Sequence, residues 1–343
     1  MRMNINELFK IASEKKASDL HLIVGKPPII RIDGELKMIP DMPVIKKADM
    51  ESLILSIITD AQKEKFLRER ELDVSYELEG FSRYRINLHF EKDNMGMVAR
   101  VISTVIPSME ELDMPPVALD MISKPQGLVL VTGPTGCGKS TTLAAMIQRI
   151  NDIRFANIIT LEDPIEFIHT PNKSIIKQRQ LGTDMISFGS ALKHVLRQDP
   201  NVIMVGEMRD LETIAATITL AETGHLVLAT LHTHNAAQTI DRIIDVFPPH
   251  QQAQVRLQLS VSLSGIISQK LLARKGGGRV AAREILVNNP AIANLIRENK
   301  IPQIKTIIQT SADLGMMSMD QHLKMLLDHD LIDEPTAIAY STE

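Results

Sequence analysis

Apolar positions recur along this chain with two different patterns, and the change between them divides it. Ile5, Leu8, Phe9 and Ala12 fall at helical spacing and predict a helix over 5–16. S-D-L-H-L-I-V at 18–24 reads as a strand, broken off by Lys26-Pro27-Pro28, and Asp33-Gly34 between two short apolar runs predicts a hairpin turn. Helices are expected over 48–58 and 60–69, with the charge run from Lys63 to Glu71 as a solvated face. Strand patterns at 73–79, 82–90 and 96–102 predict a three-stranded meander turning at Gly80 and at Asp93-Asn94. The first part of the chain is thus expected to be a small α+β domain over 1–103.

Residues 104–125 read as a linker, with Ser108 and Glu111 at capping-box spacing and Pro115-Pro116 and Pro125 after them. Beyond it the pattern changes. G-L-V-L-V-T (127–132), N-I-I-T-L (157–161), V-I-M-V (202–205) and L-V-L-A-T-L (226–231) are continuous apolar runs that alternate with helical stretches. Strands covered on both faces lose the in-out alternation, so these runs predict parallel strands in βαβ units and an α/β domain over 126–343. Gly276-Gly277-Gly278 predicts a hairpin between two strand-like stretches, and Asn289-Pro290 predicts a helix start. Ile292, Leu295 and Ile296 share a face of that helix, which either packs into the domain or leaves Arg297 and Glu298 to meet a partner.

Chemistry enters directly after the first apolar run. Residues 133–140 read G-P-T-G-C-G-K-S, an instance of G-x-x-x-x-G-K-[ST], with a helix predicted over 140–151. A strand, a glycine-rich turn and a helix N-terminus in this order gather unpaired backbone N–H groups around a phosphate. Gly133, Pro134, Thr135, Gly136, Cys137 and Gly138 form the cradle. Lys139 is placed to reach the β- and γ-phosphates, Ser140 to offer a hydroxyl to Mg²⁺, and Thr141 continues the segment. At Cys137 the helix N-terminus is expected to favour thiolate, so alkylation would block ATP use.

Polar residues also follow three other predicted strands, where ligands of parallel sheets bind. L-E-D-P-I-E-F (161–167) holds Glu162, Asp163 and Glu166, any of which could orient or deprotonate an attacking water. V-I-M-V-G-E-M-R-D (202–210) ends a strand on Glu207, which would hold Mg²⁺ directly or through water. G-H-L-V-L-A-T-L-H-T (224–233) carries His225 before a strand and His232 after it. His232 is the candidate for sensing a γ-phosphate as a neutral donor, whereas two histidines with no third ligand nearby are a weak metal signal.

Composition removes several alternatives. The 343 residues carry 38 Lys+Arg against 42 Asp+Glu, a net charge of −4, and only 3% aromatics, which disfavours a basic, stacking nucleic-acid track. One Cys excludes an internal disulfide and a cysteine-cluster zinc site. No apolar run approaches the roughly 18–20 residues that span a bilayer, and the N-terminus lacks a signal-like apolar stretch, so a soluble intracellular protein is expected.

The four segments in order resemble the secretion-ATPase superfamily that powers type II secretion, type IV secretion and type IV pili, and within it the pilus-retraction ATPases. The resemblance runs from A-S-D-L-H-L near the N-terminus to the helical C-terminus. It implies a C-terminal RecA-like P-loop ATPase domain preceded by a PAS-like α+β domain, assembled as a ring-shaped homohexamer that binds ATP and Mg²⁺. It places the catalytic carboxylate on Glu166 and the Walker B acid on Glu207. Arginines of the first domain would complete the site: Arg83 and Arg85 in S-R-Y-R-I-N, and Arg100 on the next strand. It also implies a cytoplasmic motor at the inner-membrane pilus base, acting on a membrane platform protein, with no nucleic acid. Lack of a four-cysteine site argues against a pilus-assembly ATPase. A-I-A-N-L-I-R-E (291–298) has Ala293 where the retraction ATPases carry Arg, which leaves an accessory retraction ATPase or a divergent paralogue as alternatives, beside a type II secretion or pilus-assembly ATPase and, less favoured, a nucleic-acid-dependent RecA-like motor.

Overall fold

The structure, a computed structural model, describes residues 3–32, 35–78, 81–102 and 105–341. They form two units, Met1–Val105 with Glu166–Ile168, and Ile106–Ile165 with His169–Glu343. The first runs α1 (Ile5–Glu14), β1 (Asp19–Leu22), β2 (Ile29–Ile32), β3 (Glu35–Met38), α2 (Lys47–Leu55), α3 (Asp60–Glu69), β4 (Glu71–Leu78), β5 (Ser82–Glu91) and β6 (Asn94–Ile102). Its sheet has the order β3-β2-β1-β6-β5-β4 and is antiparallel at every junction.

The apolar stripe of α1 explains how this sheet is covered. Ile5, Leu8, Phe9 and Ala12 are buried together with Leu20, Leu22, Ile86, Leu88, Met97 and Ala99. Phe9 stacks on Tyr84 with centroids 4.2 Å apart, and the Tyr84 hydroxyl donates to the Phe9 carbonyl at 2.7 Å. The expected meander is present, but its second turn is centred on Lys92-Asp93, both at positive φ, because Glu91 and Asn94 already pair across the ladder. Asp33-Gly34 and Gly80 lie outside the described residues.

In the second unit the Ser108–Glu111 box forms reciprocally, at 2.7 and 3.0 Å, yet it closes a turn and not a helix. α4 (Pro116–Ser123) starts later and buries Ala118, Met121 and Ile122, so this stretch packs as part of the second unit. There follow β7 (Gly127–Thr132), α5 (Lys139–Ile153), β8 (Asn157–Glu162), β9 (Ile175–Gln180), α6 (Phe188–Val195), β10 (Val202–Val205), α7 (Leu211–Glu222), β11 (Leu226–Leu231), α8 (Ala236–Asp245) and α9 (Pro249–Ser262). The chain ends with β12 (Leu263–Ala273), β13 (Arg279–Val287), α10 (Pro290–Arg297), α11 (Ile304–Thr310), α12 (Met319–Asp328) and α13 (Glu334–Tyr340).

The sheet order is β13-β12-β7-β11-β10-β8-β9, parallel throughout except for the edge strand β13. All six residues of β7 and all six of β11 are buried, as the continuous apolar runs required. One face packs Leu128, Leu130 and Ile266 with residues of α7–α10; the other packs Val129, Val131 and Ile267 with α4 and α5. Fully burying one such side chain stabilises the fold by about 1.5–3 kcal/mol. Gly276, Gly277 and Gly278 make the β12–β13 hairpin tip, all at positive φ. Because β7, β8, β10 and β11 run parallel, the segments following them emerge at one edge of the sheet.

Candidate nucleotide site

The glycine-rich turn is shaped by close approach. Gly133 has φ +143°, and a Cβ there would lie 2.3 Å from the Gln269 carbonyl oxygen and 2.6 Å from the Cys137 sulfur. Gly138 precedes α5 at φ +90°, a left-handed conformation that costs glycine little. The turn therefore delivers the first amides of α5 to the sheet edge. Lys139 is 9% exposed, and its ammonium donates to the carbonyls of Gly133 at 2.8 Å and Pro134 at 3.1 Å.

From Lys139 a chain of contacts crosses to the neighbouring strand ends. Lys139 Nζ is 3.4 Å from His232 Nδ1, and His232 Nε2 is 3.0 Å from a Glu207 carboxylate oxygen. The His232 ring thus lies between a cation and a carboxylate, with one nitrogen towards each. Glu207 also takes the Arg209 guanidinium at 2.6 Å. Burial alone would raise the Glu207 carboxyl; the hydrogen bond and charge of Arg209, with His232 and Lys139, outweigh it and hold the group below its ordinary value. The segment is fixed by Gly206 N–H to the Leu161 carbonyl at 2.8 Å, Met208 N–H to the Thr230 carbonyl at 3.1 Å, and the Thr230 hydroxyl to the Gly206 carbonyl.

The structure thus gathers Lys139, Glu207 and His232 at the phosphate turn, with Ser140 and Thr141 on the first turn of α5. Two other nominated residues of this unit do not join them. Glu162 is buried and already accepts from Thr160 Oγ1 at 2.6 Å and Gln178 Nε2 at 3.1 Å, so it serves the sheet. His225 stands at the opposite end of β11, with Nδ1 3.0 Å from the Leu220 carbonyl near the end of α7, and does not join the site. Glu166 is exposed and belongs to the first unit. There Arg85 and Arg100 are exposed and directly opposite one another on β5 and β6. Arg100 pairs with the buried Asp19 at 2.9 Å, and Arg31 lies 3.8 Å from the same carboxylate.

Cys137 corrects an expectation. Its side chain is buried, and that burial pushes the thiol up despite the Lys139 charge and the helix amides. A thiolate is not favoured there, and the sulfur packs towards Gly133. Two contributors were missed in the sequence. Arg209 follows Glu207 closely and reads as a surface charge. Gln269 lies in β12 among apolar neighbours, and a polar residue inside such a run is the signal that would have found it.

A family model described as type II/IV secretion system protein matches residues 97–277. The chain belongs to the type II/IV secretion system protein family. It is an ATP hydrolase of that family, and its phosphate turn (133–140) and the segments 161–167, 202–210 and 224–233 all lie within the matched stretch. Over 335 residues it is 48% identical to the type IV pilus retraction ATPase PilT of Pseudomonas aeruginosa, covering 98% of this chain and 97% of that one. Identity to the type IV pilus ATPase PilU of the same organism is 38% over 340 residues, covering 99% and 89%. The crystal structure of the pilus retraction motor PilT with bound ADP superposes with a TM-score of 0.94 at 44% identity, covering 99% and 98%.

Proposed function

We propose that this chain is the motor ATPase that retracts a type IV pilus, working as a homohexamer on an inner-membrane platform protein from the cytoplasmic side. The observation that carries this reading is the end-to-end match to a retraction ATPase, ten points of identity above the match to PilU. Among the described residues no helix is long and apolar enough to cross a membrane, consistent with a peripheral position. A second reading, an accessory retraction ATPase, is favoured by Ala293 within A-I-A-N-L-I-R-E.

In the proposed hydrolysis the turn from Gly133 to Gly138 holds the phosphates through its amides, and Lys139 exchanges its loop carbonyls for β- and γ-phosphate oxygens. Ser140 and Glu207 are the oxygen donors for Mg²⁺. Two protein ligands suit an ion that keeps water and phosphate oxygens as its other partners. Bound there, Mg²⁺ would neutralise phosphate charge. Glu166 orients or deprotonates the water that attacks γ-phosphorus as the bond to the bridging oxygen breaks, leaving ADP and phosphate. His232, placed between Lys139 and Glu207, reports the γ-phosphate to the Walker B segment. Arg85 and Arg100 are proposed to stabilise the transferred phosphate, in the same subunit or the next.

The test is deletion in the source organism, scored for surface pili and twitching. Extra pili without motility are expected. Absent pili would make the chain an assembly motor, and near-normal motility with a defect only under load would favour the accessory role.

A further inference from the structure

Gln269 is 2% exposed, and its polar atoms are committed to the phosphate turn. Nε2 donates to the Cys137 carbonyl at 2.7 Å, and Oε1 accepts from Thr142 Oγ1 in α5 at 3.0 Å. Its own backbone carbonyl is the atom that leaves room only for glycine at 133. Directly opposite Gln269 on β13 stands Arg283, also 2% exposed. Residues paired in this way project from the same face of a sheet. Arg283 reaches in the other direction, Nη1 donating to the Asp113 carbonyl at 3.0 Å and Nη2 to the Leu112 carbonyl at 2.7 Å. Its backbone N–H donates to His322 Nδ1 of α12 at 2.8 Å. Leu112 and Asp113 belong to the turn closed by Ser108 and Glu111, which precedes α4.

We propose that the Gln269–Arg283 rung couples nucleotide occupancy of the phosphate turn to the 108–113 turn, with Gln269 as a positioning residue for the loop. The proposal rests on the nucleotide reading of residues 133–140.

The physical basis is that neither side chain can let go cheaply. Releasing Gln269 would leave a buried amide and the Cys137 carbonyl unsatisfied, so a displacement of the loop carries Gln269 with it. The ladder between β12 and β13 is paired from Gly265 to Ala273, so the rung moves as part of a stiff hairpin. Burial lowers Arg283 to about 10, still charged near neutrality, and a buried guanidinium is held by the carbonyls that compensate it. Movement of the rung is therefore transmitted to Leu112 and Asp113. In the neighbouring rung the attachments lead elsewhere: Ser268 bonds Thr132 within the sheet at 2.8 Å, and Glu284 opposite it accepts from the Ala236 N–H of α8 at 2.7 Å.

The experiment measures ADP affinity by fluorescent-nucleotide displacement, and hydrogen exchange at the amides of Leu112, Asp113 and Met114 with and without ADP, on the full chain. In the parent, ADP binds and alters exchange at these three amides. Gln269→Ala is expected to weaken ADP about tenfold, the loss of one to two buried hydrogen bonds, and to abolish the exchange response. Gln269→Glu keeps the size but faces the Cys137 carbonyl with an acceptor, and should behave alike. Arg283→Lys retains the charge without the two-carbonyl fork. It should keep ADP affinity within about threefold, a change of under 1 kcal/mol, while losing the response. Unchanged β11 protection shows that each variant is folded, and a variant that loses it is judged by its partner substitution. An ADP response at Leu112–Met114 that survives in Gln269→Glu or Arg283→Lys overturns the coupling, as does a parent that binds ADP without any response there. Absence of ADP binding to the parent would instead overturn the nucleotide reading beneath it.

Discussion

The six-stranded sheet of the first unit is antiparallel and alternates along β5, with Tyr84, Ile86 and Leu88 buried and Arg85 exposed between them. The central strands of the second unit are buried on both faces and expose almost nothing along their length. The two arrangements put chemistry in different places. An antiparallel sheet that alternates in this way offers side chains along its strands, and the candidate arginines stand there as exposed charges, Arg100 paired with the buried Asp19. A doubly covered parallel sheet can act only at its strand ends, where turn geometry and backbone amides matter as much as side chains. Substitutions in the second unit should therefore act through the geometry of the phosphate turn, and those in the first through charge alone.

The strongest way to break this contrast is Lys139→Ala. Removing the loop's one ammonium should abolish tight nucleotide binding and slow ATP hydrolysis by about 10²–10³-fold or more, read by phosphate release. A variant within tenfold of the parent rate would mean that the amides of the turn suffice. Glu166→Gln comes next. It should bind ATP normally and hydrolyse it about 10²-fold more slowly, the scale expected of a positioned base. Turnover at the parental rate would remove Glu166 from the chemistry.

A smaller effect is expected from the charge cluster of the first unit. Burial raises the Asp19 carboxyl, but hydrogen bonds from Ser18 and Arg100 and the charges of Arg100 and His21 outweigh it and hold the group below its ordinary value. A depressed carboxyl adds stability above the unfolded value of about 3.9 and loses it as the pH falls through the folded one. Denaturant unfolding followed from pH 6 to pH 3 should show this loss in the parent and a shallower one in Asp19→Asn. Its size should stay within about 1 kcal/mol, because Arg100 is 69% exposed and screened by water. An equal loss in both proteins would assign the acid sensitivity elsewhere.

The smallest structural effect belongs to Arg297→Ala. Ile292, Leu295 and Ile296 of α10 are buried in the second unit's core, so one face of this helix packs, while Arg297 is exposed on the other. The variant should keep its stability within about 0.5 kcal/mol and its ATPase rate unchanged, yet impair twitching if that face meets a partner. Normal twitching would leave α10 with packing as its whole role.

The sequence was most readable where burial forces composition. β7, β8, β10 and β11 stood out because strands with two covered faces admit few polar residues, and the phosphate turn stood out because glycine alone fits its close approaches. Asn289 indeed caps α10, its side chain accepting from Ile292 N–H at 2.9 Å. Less was readable where a residue's role depends on partners distant in sequence. The Ser108–Glu111 box has a helix signature but closes a turn, since local hydrogen bonds do not dictate whether a helix continues. Glu162 resembled a catalytic carboxylate until Thr160 and Gln178 were seen to occupy it. Gln269 lies 132 residues from the Cys137 carbonyl it holds, and no local pattern announces such a contact.

The burial of Cys137 has a practical use. It is the one cysteine of the chain, and it is 3% exposed. An exposed cysteine introduced elsewhere, for example at Glu77 or Arg297, would be the preferred target of a maleimide dye or spin label while the protein is folded. Paired labels placed one in each unit would then report distances during turnover without removing the native thiol. Once the chain unfolds, Cys137 becomes available as well, so the thiol titre of the unlabelled protein reads directly as the fraction of molecules that have opened.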